Sequence, residues 1–262
     1  MAYMPIRAVL WDIDDTIFDY AGADHTGMRL HLEGVGLPEA YASVDEALAA
    51  WKAITAVHWA RVAAGETDFL GQRRDRVREF LSRPLTDDEA DDWFAGHLTH
   101  YEAAWQLFPD VLPVLDRLAS GYRHAILSNS SSENQHRKLT ALGVRDRFEA
   151  MVCAVELGIS KPEPGAFHAA CDALALEPHE VAYVGDEPDI DASGAVAAGL
   201  TGIWLDRRGG RAPGPRVDHR AGPAPRAAGG RYPFWSAGHL RVMFFLRRPS
   251  GTEDPTGKRR QK

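Results

Sequence analysis

The run Ile6-Arg7-Ala8-Val9-Leu10-Trp11-Asp12-Ile13-Asp14-Asp15-Thr16 decides how this chain is read. Residues 6–11 are mostly apolar and stop abruptly at carboxylates. Such a segment reads as a buried strand of a parallel sheet with polar groups at its C-terminal end. A helix cap and turn is the plainer reading of Asp12–Asp15, because Asp is favoured there. Asp12, Asp14, Asp15 and Thr16 together exceed what a cap uses.

Beyond this run the pattern changes twice. Residues from about 20 to 105 contain few Gly or Pro breaks, and Leu48, Trp51, Ile54, Thr55, His58, Trp59 and Val62 fall at helical spacing. Four or five helices are expected there. From about residue 110 helices and strands alternate. Helices are expected over Val111–Ser120, Glu133–Leu142, Gly165–Ala175 and Ala192–Ala198, and strands over Ala125–Leu127, Ala150–Cys153, Val181–Val184 and Ile203–Leu205. Gly143 should end the second of those helices. This alternation implies an α/β fold, a doubly wound parallel sheet with helices on both faces. The first strand joins the same sheet. The expected organisation is therefore a core of residues 1–19 and 106–205, with the helical block 20–105 inserted after the first strand.

The 262-residue chain is 45% hydrophobic and 26% charged, as ordinary globular proteins are. Its net charge of -7 hides an asymmetry: residues 206–262 hold 14 Lys+Arg against 4 Asp+Glu, so everything before them carries -17. The acidic part lacks the cationic surface a nucleic acid requires. The basic tail, rich in Gly, Pro and Arg, is expected to be poorly ordered, with Phe234–Leu246 able to form one strand or helix. Binding of an acidic partner or nucleic acid, and an altered C-terminal segment, are the less favoured readings of that tail. Cys153 and Cys171 sit in apolar surroundings and read as core thiols. The N-terminus lacks a basic-then-apolar signal segment, and no apolar run approaches the roughly 18 residues of a membrane span. A cytoplasmic protein without membrane contact is the expectation. The sequence does not set the oligomeric state.

Ligands of doubly wound sheets bind beyond the carboxyl ends of the strands. The first strand end offers Asp12, Asp14, Asp15 and Thr16. The second offers Ser128-Asn129-Ser130, the third is followed by Lys161-Pro162, and the fourth by Gly185-Asp186-Glu187 with Asp189 and Asp191 behind. Carboxylates this close repel one another and suit a hard cation such as Mg2+. A carboxylate can attack phosphorus, a second acid can protonate a leaving alcohol, and an ammonium and a hydroxyl can take up charge on the phosphoryl oxygens. The inventory suits phosphoryl transfer.

These residues resemble the haloacid dehalogenase superfamily of hydrolases. Asp12-Ile13-Asp14-Asp15-Thr16 matches its Asp-x-Asp-x-Thr motif, and Ile126-Leu127-Ser128-Asn129 its strand-then-hydroxyl motif. Lys161 in Ser160-Lys161-Pro162 matches the third motif, and Gly185-Asp186-Glu187-Pro188-Asp189-Ile190-Asp191 the fourth. All four fall in the expected order between residues 6 and 205. The resemblance implies that Asp12 is nucleophile and metal ligand, and that Asp14 is acid/base with its backbone carbonyl on the metal. It implies further that Asp186 is the third metal ligand and that Asp191 orients the lysine or the metal's water shell. Ser128 and Lys161 join the catalytic set, with Thr16 and Asn129 in support. The helical block corresponds to the family's C1 cap, which closes over the site and selects substrate.

Within the resemblance, the dehalogenase branch lacks an acid two residues after its nucleophile, because a halide leaves without a proton. Asp14 therefore implies a phosphate ester. The expected activity is Mg2+-dependent hydrolysis of a small phosphorylated metabolite through an aspartyl-phosphate, the substrate being a sugar phosphate, nucleotide or phosphoglycolate-like compound. The alternatives are a phosphotransferase or mutase with the same motifs, and a silent scaffold that interacts through its basic tail. In the cap, Gln72-Arg73-Arg74-Asp75-Arg76-Val77-Arg78 gathers cations. Helical spacing spreads them around the axis, so most are expected in solvent. His58 and Trp59 read as helix-interface residues, and Asp19 and Tyr20 as a candidate flap.

Overall fold

The computed structural model describes residues 5–207 and the backbone of Arg241–Phe245. In chain order the elements are β1 (Ala8–Trp11), α1 (Tyr20–Val35), α2 (Val44–Ala63), α3 (Phe69–Leu81), α4 (Asp87–Ala103) and α5 (Val111–Leu118). Then follow β2 (Arg123–Ser128), α6 (Ser132–Ala141), β3 (Ala150–Cys153), α7 (Ala154–Leu157) and α8 (Pro164–Ala173). Next come β4 (Val181–Gly185), a π-helical turn (Pro188–Ser193), α9 (Gly194–Ala197), β5 (Thr201–Asp206) and β6 (Arg241–Phe245). The last of these lies inside the apolar segment of the tail. The expectation that the rest of the tail is poorly ordered falls outside the described residues. Among the described residues no helix is long and apolar enough to cross a membrane.

The chain divides into two compact units. A sheet unit comprises the residues up to Asp12, Ala119–Asn129 and the chain from Phe148 onward, while a helical unit comprises Ile13–Leu118 and Ser130–Arg147.

In the sheet unit the strand order is β3-β2-β1-β4-β5-β6. The first five strands run parallel, and β6 pairs antiparallel with β5. β1 is central: Trp11 sits opposite Ile126 of β2 on one side and Val184 of β4 on the other. The chain fills the β2–β3 side first and then crosses to β4, which puts the topological switch between β1 and β4. All four residues of β1 and all five of β4 are buried, which explains their unbroken apolar sequence. Ala8, Leu10, Ala125 and Leu127 form a floor on which Phe167 and Ala170 of α8 pack. The Phe167 ring meets Tyr183 edge-on at 5.1 Å between centroids. Burying a phenylalanine of this kind contributes about 1.5–3 kcal/mol. Both cysteines are buried and free, as expected of core thiols.

In the helical unit, Met28, Leu32, Trp51, Phe80 and Phe94 of α1–α4 form a core of their own. The helices start where the sequence supplies caps: the side chains of Asp19, Ser43, Asp68 and Thr86 each accept a backbone N–H in the first turn. Thr86 and Glu89 complete a reciprocal capping box. Asp19 thus starts a helix. The solvated arginine face expected on α3 needs correction at one position. Arg76 is buried, its guanidinium lying 4.3 Å from the centroid of the Trp51 ring. Stacking on an aromatic face lets a delocalised cation enter an apolar interface, which helical spacing alone does not reveal.

Candidate active site

Within the sheet unit, the ends of β1 and β4 bring together Asp12, Asp186 and Asp191. One oxygen from each carboxylate lies within 4.8 Å of the others. The alignment follows from the ladder, because Asp12 donates its backbone N–H to the Val184 carbonyl at 2.9 Å and so extends the register beyond Trp11. Asp191 is carried back to the strand ends by the π-helical turn. Its backbone N–H bonds the Glu187 carbonyl at 2.8 Å, and Glu187 N–H donates to its Oδ2 at 2.9 Å. Gly185 makes that approach possible, since a Cβ there would overlap the Asp191 carboxylate.

The buried ammonium of Lys161 ties this group together. Its Nζ donates to Asp12 Oδ1 at 2.7 Å, to Asp191 Oδ1 at 2.8 Å and to the Tyr183 hydroxyl at 2.6 Å. Three donors therefore meet three acceptors. The Tyr183 hydroxyl in turn donates to the Leu127 carbonyl at 3.0 Å. Asn129 clamps the lysine backbone from both sides, accepting its N–H at 2.8 Å and donating to its carbonyl at 3.0 Å. Burial opposes charge on Lys161, but Asp12 and Asp191 outweigh it and raise the pKa above the ordinary lysine value. Burial, then the charges of Asp191 and Asp12, push the Tyr183 phenol far upward, so that it stays a neutral donor.

Within the helical unit, Asp14 follows Asp12 by two residues in the chain. Its Oδ2 accepts from Gln135 Nε2 at 2.8 Å, and its Oδ1 accepts from Lys138 Nζ; both partners come from α6. The loop is fixed by Asp15, which takes φ of 57° and accepts the Ala21 N–H at 2.9 Å. Asp tolerates this left-handed backbone better than most residues. Asp14 also lines a cleft of about 630 Å3, counting solvent at its opening, walled by aromatic rings and by arginines of α3. Thr16 is buried in the same unit.

The structure thus brings Asp12, Asn129, Lys161, Asp186 and Asp191 into one cluster. Ser128 is the buried last residue of β2, and Asp14 and Thr16 belong to the helical unit. Asp189 is exposed. Sequence reasoning missed Tyr183, Gln135 and Lys138. A tyrosine inside an otherwise aliphatic buried strand was the available signal for the first. The helix following the hydroxyl motif was the signal for the other two.

The donor set is made of hard carboxylate oxygens without thiolate or imidazole, which fits Mg2+ or a similar cation. Both oxygens of Asp191 already accept hydrogen bonds from this chain.

Residues 6–199 match the model of the haloacid dehalogenase-like hydrolase family. The chain is 28% identical to rat (Rattus norvegicus) N-acylneuraminate-9-phosphatase over 80% of its own length and 86% of that protein. It is 26% identical to (S)-2-haloacid dehalogenase 1 of a Pseudomonas species, over 78% of its own length and 86% of the other. Among solved structures it resembles the magnesium-bound HAD-hydrolase YfnB of Bacillus subtilis, with a TM-score of 0.65, 22% identity and coverage of 75% and 86% of the two chains.

Proposed function

The chain belongs to the haloacid dehalogenase-like hydrolases, and from that premise we propose that it hydrolyses a small phosphomonoester with Mg2+ through an aspartyl-phosphate on Asp12. The observation that carries the reading is the Asp12–Lys161–Asp191 arrangement beside Asp186 at the switch point of the sheet.

Asp12 and Asp186, with the backbone carbonyl of Asp14, are the groups that would hold the cation. When bound, Mg2+ offsets the repulsion between an anionic nucleophile and an anionic substrate. A carboxylate oxygen of Asp12 attacks phosphorus, and the bond from phosphorus to the alcohol oxygen breaks. Asp14 gives its proton to that oxygen, so the alcohol leaves neutral. Asp14 then takes a proton from water as the water oxygen attacks the same phosphorus. The acyl-phosphate bond breaks, inorganic phosphate leaves and Asp12 is restored. Lys161 keeps its charge throughout and, with Ser128, answers the charge on the phosphoryl oxygens. Asp191 and Asn129 hold the lysine; Gln135 and Lys138 hold Asp14 as a carboxylate before turnover, and it takes up the proton it delivers as those contacts open.

The chain's relatives include both phosphatases and dehalogenases. Asp14 favours the first reaction, since an alkoxide needs a proton to leave and a halide does not. The helical unit would act as the cap that selects substrate. Release of inorganic phosphate from p-nitrophenyl phosphate and from a panel of metabolite phosphates tests the reading. The expected result is phosphate release that requires Mg2+ and no acceptor alcohol. Transfer that requires an acceptor identifies a phosphotransferase, and inertness towards the whole panel rejects the reading.

A further inference from the structure

The arginines of α3 fall into two classes. Arg74 pairs with Asp87 and Asp91 at 2.6 Å each, and Arg78 with Asp87 at 2.5 Å. Arg73 and Arg76 line the cleft instead, and neither forms an ion pair with a described residue. Arg76 is 3% exposed. It donates to Thr55 Oγ1 at 2.7 Å, while its buried Nε has no acceptor among the described residues. Asp24, a neighbouring acid, already accepts from Trp51 Nε1 and lies within reach of His97 Nε2, both at 3.3 Å. Arg73 lies 4.3 Å from the centroid of the Phe69 ring. Burial lowers the pKa of both guanidinium groups, as expected of charge held away from water.

Asp24 offsets part of the cost of burying Arg76, but no carboxylate of a described residue pairs directly with Arg76 or Arg73, so an arriving anion gains a direct partner in both. The other cations of the cleft are already matched: Lys138 by Asp14 and Arg137 by Glu102. Arg73 and Arg76 are three residues apart and share one face of their helix. A planar guanidinium fork fits a carboxylate, and the aromatic walls fit a carbon body.

We propose that this cleft selects phosphomonoesters whose alcohol half carries a carboxylate, and that Arg76 and Arg73 are the residues that bind it. The proposal rests on the phosphomonoesterase reading and adds the substrate class to it.

The test compares 4-carboxyphenyl phosphate with phenyl phosphate, at saturating Mg2+, as a ratio of kcat/KM. The full chain should favour the carboxylated ester at least tenfold, and Arg76→Gln should bring the ratio towards one. Arg73→Gln should act in the same direction, and it reads the same cleft if the buried Arg76 variant does not fold. Arg76→Lys, which keeps the charge and loses the fork, should retain part of the preference. A ratio near one in the unaltered chain, or a ratio unchanged in Arg73→Gln and in a folded Arg76→Gln, overturns the proposal. If neither ester is hydrolysed, the metabolite-phosphate panel decides the phosphomonoesterase reading and the cleft is read directly. Quenching of tryptophan fluorescence, with Trp59 and Trp105 in its walls, then compares 4-hydroxybenzoate with phenol. Tighter binding of the carboxylate, lost in Arg73→Gln, sustains the anion site; equal binding removes it.

Discussion

The Nζ of Lys161 lies 2.7 Å from Oδ1 of Asp12, both side chains being buried. That single bond places a permanent positive charge beside the proposed nucleophile before any substrate or cation arrives. Without it, the carboxylates of Asp12, Asp186 and Asp191 would face one another within 4.8 Å and repel.

Lys161→Met should therefore do more than remove activity. Breaking a buried pair by deleting one partner costs about 3–5 kcal/mol. Thermal melts should show a clear loss of stability, part of which added Mg2+ restores by taking over the charge compensation. A variant melting within a degree of the parent would contradict the electrostatic role given to the ammonium.

Tyr183→Phe removes the hydroxyl shared between Lys161, at 2.6 Å, and the Leu127 carbonyl, at 3.0 Å. The ring keeps its packing against Phe167, so the loss isolates the hydrogen bonds. About 1–3 kcal/mol should be lost in denaturant unfolding, because buried partners are left unsatisfied. Activity should fall as well, since the lysine gains freedom to move. Unchanged kinetics would show that Tyr183 only fills space.

Gly185→Ala tests the approach of the π-helical turn to the strand end. The new methyl would overlap the Asp191 carboxylate and push it off Lys161. Overpacking of this kind costs about 1–3 kcal/mol. The diagnostic outcome is a larger drop in kcat than the stability loss alone explains. Full activity would mean that Asp191 need not hold the lysine.

His31, in the helical unit, supplies a pH dependence. It is buried against the Trp93 ring, 4.5 Å between centroids, and its Nε2 has no hydrogen-bond partner among the described residues. Burial, then the neighbouring His97 and His100, lower its pKa from 6.5 to about 4. Between those values the unfolded chain binds the proton and the folded chain does not. Stability is then full above about pH 6.5 and falls as the pH drops towards 4. The loss attributable to this group is on the order of 2–3 kcal/mol. Urea unfolding at pH 7 and pH 4.5, in the parent and in His31→Leu, should show a smaller pH effect in the variant. An equal effect in both would locate the proton uptake elsewhere.

Much of this architecture was legible because apolar periodicity and punctuation agreed. Ala150–Cys153 is a strand with the bounds its composition suggests, and Gly143, at φ of 71°, follows the helix it was expected to end. β2 begins two residues before its apolar run because its polar start is satisfied: Arg123 pairs with Glu149, and His124 accepts the Trp11 indole N–H at 3.0 Å. The expected helix Ala192–Ala198 is instead a π-helical turn followed by a single α-turn. Local propensity does not encode that turn, because its geometry is set by Asp191 reaching Lys161. Motif spacing likewise marked Asp12, Lys161, Asp186 and Asp191. It was silent on Tyr183, Gln135 and Lys138, whose partners lie 22, 121 and 124 positions away in the chain. Arg76 shows the same limit from the other side, since only tertiary packing tells a buried arginine from its solvated neighbours.

The most direct test of the central claim is phosphate release by Asp12→Asn beside the parent chain, on the same phosphomonoester and with saturating Mg2+. The amide keeps the shape of the side chain and its acceptor for Lys161, but has no anionic oxygen to attack phosphorus. The account predicts Mg2+-dependent release by the parent and none above background by a variant that folds with a cooperative melt. Turnover by folded Asp12→Asn at a rate near that of the parent would contradict it.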